Sequence, residues 1–212
     1  MACADVAGND YTDLQVQRFK KAVDAYPQNG KSLPLLHMAA SGGILHYPDT
    51  HFDMVRPGHI LYGVYPDKDS DRKLNLRPVL SLHAKVLFSK RVKKGEFVGY
   101  GNVYEAKKDT WISTIGIGYG DGFPRRLTAK GRVLAKGQSF PIASSVCMDQ
   151  LMIDTQEIYL PPGEDVTLIG EQGEEAITTD EIAALINTVP DHILSNLHLN
   201  IPRLKHQYVR KT

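Results

Sequence analysis

Leu33-Pro-Leu-Leu-His-Met-Ala-Ala40, followed at once by Ser41-Gly42-Gly43, is nearly all apolar and does not alternate. A short run of that kind suits a strand covered on both faces, as in a parallel sheet. Working upstream, residues 2–4 read as the tail of a buried strand, so an apolar run that begins at residue 2 suggests a fold already under way. A polar loop at Gly8-Asn9-Asp10 follows. Thr12-x-x-Gln15 then matches a capping box, and Val16, Phe19 and Val23 recur at helical spacing. The pattern predicts a helix from about Asp13 to Ala25, ended by Pro27, with Gln28-Asn29-Gly30 as the exit loop. Downstream of Ala40, Ile44 and Leu45 fit one or two helical turns. Phe52-Asp-Met-Val-Arg56 fits another short strand, and Pro57-Gly58 a turn that exposes backbone amides. Strand, helix and strand therefore alternate through the first third of the chain.

The texture changes after Pro66. Asp67 to Arg77 is a charged linker, and the domain boundary is placed there, dividing the chain into residues 1–66 and 67–212. Leu80, Leu82, Ala84, Val86 and Phe88 then alternate with Ser81, His83 and Lys85, the mark of a strand with one wet face. Turns at Lys93-Lys94-Gly95-Glu96, Lys107-Lys108-Asp109 and Lys136-Gly137 punctuate further strands, one of them carrying Tyr100. A mostly antiparallel β domain is expected, with Val166 to Ile169 among its later strands. One helix, capped by Thr178 with Glu181 three residues later and carrying Ile182, Leu185 and Ile186, closes it.

With 212 residues, 42% hydrophobic content and a net charge of +1, the chain can bury one or two cores and has no bias towards nucleic acid or disorder. No apolar run approaches the ~18 residues of a membrane span. Cys3 and Cys147 make neither a disulfide framework nor a metal pattern, so no metal is expected and a reducing cytoplasm is the default. No secretory signal pattern opens the sequence.

Several small constellations carry chemistry. Ser41 with Gly42 and Gly43, and Gly58 with its neighbours, could offer hydroxyl and amide donors to a phosphate at the ends of adjacent strands, although loop glycines are more often plain turn chemistry. Arg56 could face a cofactor ring or pair with a carboxylate, and His37, in an apolar strand, would ordinarily be a core histidine. Tyr100 lies between Gly99 and Gly101, where small neighbours let a ligand approach the phenol closely. The ordinary alternative is a packed edge-strand tyrosine. Gly116-Ile-Gly-Tyr-Gly-Asp-Gly122 superficially matches a dinucleotide fingerprint. It runs into Phe-Pro-Arg-Arg instead of opening a helix, so a loop displaying Tyr119 and Asp121 is the better reading. In Ser145-Val-Cys-Met-Asp-Gln150, Met148 and Asp149 would face opposite ways if the run were a strand, and Cys147 reads as an unpaired thiol.

The order His37-x-Ala-x-Ser41, Asp53-Met-Val-Arg-Pro-Gly58, Leu61-Tyr-Gly63, Val98-Gly-Tyr-Gly-x-x-Tyr104, Ile117-Gly-Tyr-Gly-Asp-Gly122 and Val146-Cys-Met-Asp-Gln150 resembles the pyridoxal-phosphate-dependent alanine racemases. The resemblance implies an α/β barrel remnant, the last three β/α units of a TIM-like (β/α)₈ barrel, followed by a β domain that contributes to a partner subunit's active site. It implies an isomerase that inverts Cα of a small amino acid and gives D-alanine for cell-wall synthesis. Ser41, Gly58 and His59 would hold the phosphate of pyridoxal 5'-phosphate, Arg56 would face the ring nitrogen, and His37 would orient Arg56. Tyr100 would be one of two acid/base groups, a task for which a phenol must be tuned by its surroundings. Met148 would place the substrate carboxylate through its backbone amide, while Tyr119 and Asp149 would line the entrance. The family's cofactor lysine belongs to the first barrel strand and has no counterpart in this chain. Ala40 stands where the family usually has asparagine, and Leu199-Asn200 where it has a tyrosine and an arginine. The implied partners are a second racemase subunit in a homodimer or a complementing N-terminal barrel fragment, and the chain alone should not racemise alanine. The rival expectation is a non-catalytic domain that dimerises with a complete racemase.

Overall fold

A computed structural model describes residues 1–26, 32–66 and 74–205. The chain forms two compact units, Met1–Val79 and Leu80–Thr212.

In the first unit, residues 2–5 make a turn, with Cys3 at φ 57°, where a strand tail is expected. The turn is fixed by packing, since Ala4 is buried and its backbone fills the space beside Gly42, where a Cβ would lie 2.5 Å from the Ala4 oxygen. Helix α1, Asp10–Asp24, starts three residues before the sequence predicts. Its cap is Asn9, whose side chain accepts from the Tyr11 and Thr12 amides. The expected cap, Thr12, is fully buried and its hydroxyl donates instead to the Ala2 carbonyl. The predicted exit loop at Gln28-Asn29-Gly30 lies outside the described residues.

Strand β1, His37–Ala40, is half the predicted length. Pro34 has no N–H for a ladder, and the Leu36 amide goes to the Asp53 carboxylate at 2.8 Å. Helix α2, Ser41–His46, follows directly, and β2, Met54–Arg56, pairs parallel to β1. Two parallel strands are thus present among the described residues, where three barrel units are expected. A 3-10 turn, His59–Tyr62, ends on Gly63 at φ 75°. Residues up to Val79 stay with this unit, because the Val79 amide donates to the Tyr62 carbonyl at 3.2 Å.

The second unit is an antiparallel sheet that curls until its edges meet. Its long strand β3, Leu82–Val92, keeps the predicted alternation only as far as Val86. A bulge between Val86 and Phe88 breaks the register against the facing strand, and Phe88 is exposed rather than buried. A two-strand hairpin of β4, Phe97–Val98, and β5, Tyr104–Glu105, projects next, followed by β6, Thr110–Ile115. The hairpin β7, Arg132–Ala135, and β8, Gln138–Pro141, leads through a loop to β9, Leu151–Gln156. Strand β10, Asp165–Gln172, and β11, Glu175–Ile177, complete the set. The order is β8-β7-β10-β3-β6-β9, with β11 also on β10. Closure comes from Ile142, which bridges Ile153, and from the Ala143 amide, which donates to the Met152 carbonyl at 2.8 Å.

Leu134, Leu151, Ile153, Leu168 and Ile115 fill the interior with no exposure, and each such side chain contributes about 1.5–3 kcal/mol by burial. Helix α3, Thr179–Ile186, has the predicted Thr178 cap, which accepts from the Glu181 amide, and buries Ile182 and Ile186. Leu185 stays largely outside, and a second helix that the pattern misses, α4, Pro190–Asn196, adds Ile193 to the core. A smaller cluster of Val92, Val98, Ala106, Ile112 and Ala143, with Tyr104 and Met152 against it, seats the β4–β5 hairpin.

Candidate active site

The two glycines around Tyr100 do different work from the one a strand would ask of them. Tyr100 lies in a 3-10 turn, Tyr100–Asn102, between β4 and β5, so the expected strand stops two residues earlier. Gly99 and Gly101 both have positive φ, 76° and 73°. That pair of left-handed residues turns the chain sharply and leaves the Tyr100 side chain 77% exposed. Ser145 Oγ donates to the Tyr100 carbonyl at 3.1 Å, which ties the turn to the loop before β9.

That loop, residues 145–150, is not the strand considered for it, and the glycine-rich run 116–122 holds it in place. The Tyr119 amide donates to the Cys147 carbonyl at 2.9 Å and the Gly120 amide to the Met148 carbonyl at 2.7 Å. Backbones approach so closely that a Cβ on Gly118 would sit 2.3 Å from the Cys147 oxygen. The glycines therefore serve close approach of two loops, and the run forms a 3-10 turn, Tyr119–Asp121, with no helix after it. Thr128 braces the other side, its hydroxyl donating to the Arg125 carbonyl while it accepts from the Val146 amide.

Between these loops opens a pocket of about 380 Å³ lined by Tyr100, Tyr119, Arg125, Cys147, Met148 and Asp149, among others. Four of the residues singled out from the sequence meet there: Tyr100, Tyr119, Met148 and Asp149. Arg125 was missed, as were Ser145 and Gln150 as lining groups. The only local hint of Arg125 is its place just after Phe123-Pro124, where Pro124 precedes a 3-10 turn, Arg125–Leu127. Arg125 brings a guanidinium that can meet a carboxylate or phosphate, and Asp149 an opposing charge. Burial pushes the Cys147 thiol up, helped by the Asp149 charge and opposed by Arg125, so this thiol is a poor nucleophile at neutral pH.

The first unit gathers the remaining candidates. Arg56 Nη1 donates to His37 Nδ1, joining the carboxyl end of β2 to the start of β1. Ser41 is buried and its Oγ accepts from the Gly58 amide at 2.8 Å, so that amide is engaged, while the hydroxyl proton remains to be given to an anion. A Cβ on Gly58 would meet only Ser41 Oγ, at 3.7 Å, which leaves its backbone open to approach. Gly42 and Gly43 behave differently, since Ala4, Ala39 and Met1 occupy the space beside them. Their absence of side chains is a packing requirement. Ala40 at the N-cap gives the first turn of α2 no side-chain acceptor. His59, half-buried, begins the 3-10 turn after Gly58. Among the described residues, no helix is long and apolar enough to cross a membrane.

The solved structures this chain superposes on define a class first, since they are racemases, which are isomerases. The family follows from the sequence: "Alanine racemase, C-terminal domain" matches residues 79–205 and "Alanine racemase, N-terminal domain" residues 1–66. This chain belongs to the alanine racemase family. The alanine racemase of Carboxydothermus hydrogenoformans is 40% identical over 205 residues, which are 96% of this chain and 56% of that protein. The crystal structure of alanine racemase from D-cycloserine-producing Streptomyces lavendulae superposes with a TM-score of 0.92 at 30% identity, covering 99% of this chain and 55% of that one. That of alanine racemase from Bartonella henselae, with covalently bound pyridoxal phosphate, gives 0.81 at 32% identity, covering 93% and 52%. The chain spans about half the length of the relatives it matches.

Proposed function

We propose that this chain is the cofactor-phosphate and second-base portion of a pyridoxal-phosphate-dependent alanine racemase. Its first unit is the closing part of a (β/α)₈ barrel, and its second unit completes the active site of a partner subunit. The observation that carries the reading is the pocket in which Tyr100, Tyr119, Met148 and Asp149 converge from loops far apart in sequence.

Pyridoxal 5'-phosphate, when bound, supplies an electron sink that makes the α-proton of an amino acid removable. The residues of the first unit fit its phosphate and ring. Ser41 keeps a hydroxyl proton for the phosphate while the Gly58 amide holds its oxygen in place, and the backbone of His59 would complete the phosphate site. Arg56, held by His37, would face the ring nitrogen. A guanidinium stays protonated and would leave that nitrogen without a proton, which would restrain side reactions and favour racemisation. On the second unit, Tyr100 takes or returns the α-proton on one face of the substrate. The Met148 amide places the substrate carboxylate, and Tyr119 and Asp149 line the approach. The lysine that carries the cofactor comes from a different stretch of polypeptide, supplied by an N-terminal barrel segment or by a complete racemase subunit.

Mixing decides the matter. The chain alone with pyridoxal phosphate should not racemise alanine, and adding an N-terminal barrel fragment that carries the lysine should restore activity. Tyr100→Phe should lower that restored rate by roughly 10²-fold or more, the usual worth of a positioned acid/base. A Tyr100→Phe mixture as active as the parent in both directions would remove Tyr100 from the chemistry. A borohydride-reduced cofactor adduct mapped to a lysine within residues 1–212 would show the lysine assignment to be wrong.

A further inference from the structure

Asp154 lies outside the pocket, yet it gathers more hydrogen-bond donors than its position on a strand requires. Its Oδ2 accepts from the Tyr104 hydroxyl at 2.5 Å, and its Oδ1 accepts from the Thr110 hydroxyl and from the Gln156 amide at 2.8 Å. Thr110 is 1% exposed, while Asp154 and Tyr104 are half-buried, so this is a partly buried junction of three elements: β5, β6 and β9. A carboxylate that accepts two hydroxyl protons and an amide is held by charge-assisted bonds, the stronger kind. Tyr104 is the register partner of Val98, and those two residues frame the five-residue turn 99–103 that displays Tyr100. Val98 is buried and the Tyr104 ring packs on the small cluster beneath the hairpin.

The other tie of that turn, Ser145 Oγ to the Tyr100 carbonyl, leads to the same stretch of chain. Ser144 continues the connection, its hydroxyl accepting from the Met152 amide at 3.0 Å. Residues 144–154 therefore carry Met148 and Asp149 into the pocket and also hold the Tyr100 turn, once at its tip and once at its base.

We infer that Asp154 is a positioning residue for Tyr100: through the Tyr104 hydroxyl it fixes the turn against the strand that also carries the pocket loop. The inference rests on the reading of Tyr100 as an acid/base group. Burial, then the hydrogen bond and charge of Asp154, push the Tyr104 phenol up, so it remains a donor across the working pH range. Positioning matters because a reacting group displaced by about 1 Å can lose about 10²-fold in rate.

The test uses the full chain with 3-fluorotyrosine placed at Tyr100 or, as the reference, at Tyr119. Tyr104→Phe keeps the ring and removes only the hydroxyl. It should broaden or split the fluorine resonance at Tyr100 and speed amide exchange at residues 99–103 about 10-fold or more, leaving Tyr119 and residues 118–122 as they were. Asp154→Asn retains an acceptor oxygen and should give an intermediate change. In the complemented enzyme, Tyr104→Phe should lower kcat about 10-fold with KM nearly unchanged. A sharp, unshifted Tyr100 resonance with unchanged exchange in Tyr104→Phe overturns the inference, as does an equal change at Tyr119, which would signify general loosening. If Tyr100→Phe racemises normally, the acid/base reading falls on that result, while the fluorine and exchange data still decide whether Asp154 holds the turn.

Discussion

Gly118→Ala puts the closeness of the two pocket loops to a quantitative test. Gly118 has φ −148°, extended backbone that alanine adopts without strain, so any penalty must come from space. The added Cβ would lie 2.3 Å from the Cys147 oxygen and 2.4 Å from the Met148 carbonyl carbon and oxygen. All three are backbone atoms, and no side-chain rotation can relieve the overlap. Loops 116–122 and 145–150 must part, lengthening the bonds from the Tyr119 and Gly120 amides. Overpacking of this kind costs ~1–3 kcal/mol and two weakened bonds add ~1 kcal/mol, for a loss of about 2–4 kcal/mol. For a unit of this size that lowers Tm by roughly 8–15 °C. Gly137→Ala is the counterpart, since a Cβ there has nothing within 4 Å and only φ +70° opposes it. Its cost should be about 1–2 kcal/mol. Scanning calorimetry of both variants, with amide exchange at Tyr119 and Gly120, gives the comparison. A Gly118→Ala protein that melts within about 2 °C of the parent with both amides protected, or a more damaging Gly137→Ala, would refute a steric origin for the penalty.

Three further outcomes follow from the geometry. Tyr104 keeps its proton when folded beyond the pH of about 10 at which an unfolded tyrosine loses it, so its stabilising share is whole below that pH and declines as pH rises above it. Denaturant titrations from pH 9 to 11 should show a steeper loss of stability in the parent than in Tyr104→Phe, where this contribution is missing. Cys3 is exposed and Cys147 buried with its thiol pushed up, so limiting iodoacetamide at neutral pH should label Cys3 first, and Cys147 only after unfolding, as read by mass spectrometry. Arg132 forks onto Glu181 through Nε and Nη2, and reaches Glu175 and the Ala176 carbonyl besides. Arg132→Lys cannot reproduce that fork and should lower stability by about 1–2 kcal/mol in chemical denaturation, with less loss at high salt.

What could be read from the sequence was local. Thr178 caps α3 through the Glu181 amide as the spacing says, because that interaction lies within one turn, whereas the Glu181 carboxylate is drawn off to Arg132. Helix α1 starts earlier than the pattern predicts because two capping candidates compete there: Asn9 takes the amides and Thr12 is drawn away by Ala2. The alternation in β3 was legible up to Val86, and the bulge was not, because a bulge answers to the facing strand. The glycine-rich run points locally to a loop displaying Tyr119, whereas Met148 and Asp149 stand out only through the order of the motifs, and the three line one pocket. Arg125 had no comparable signal, since its place depends on Thr128 bracing residue 146 across the pocket.

The paired glycines around Tyr100 show where local reading ends and packing takes over. Gly101 is required by its dihedral alone, since a Cβ there would meet only Val103 Cγ1, at 3.7 Å. Gly99 is required twice, by φ +76° and by Ser144, whose Cβ would lie 2.9 Å from an added methyl. Asparagine could stand at the first position with modest strain, but at the second no L-residue clears Ser144. Ser144 in turn anchors the Met152 amide and adjoins the loop that carries Met148 and Asp149. The glycine before Tyr100 is thus the point at which the exposed tyrosine and the pocket loop share one steric constraint, and the distance between them is set there rather than by either turn alone.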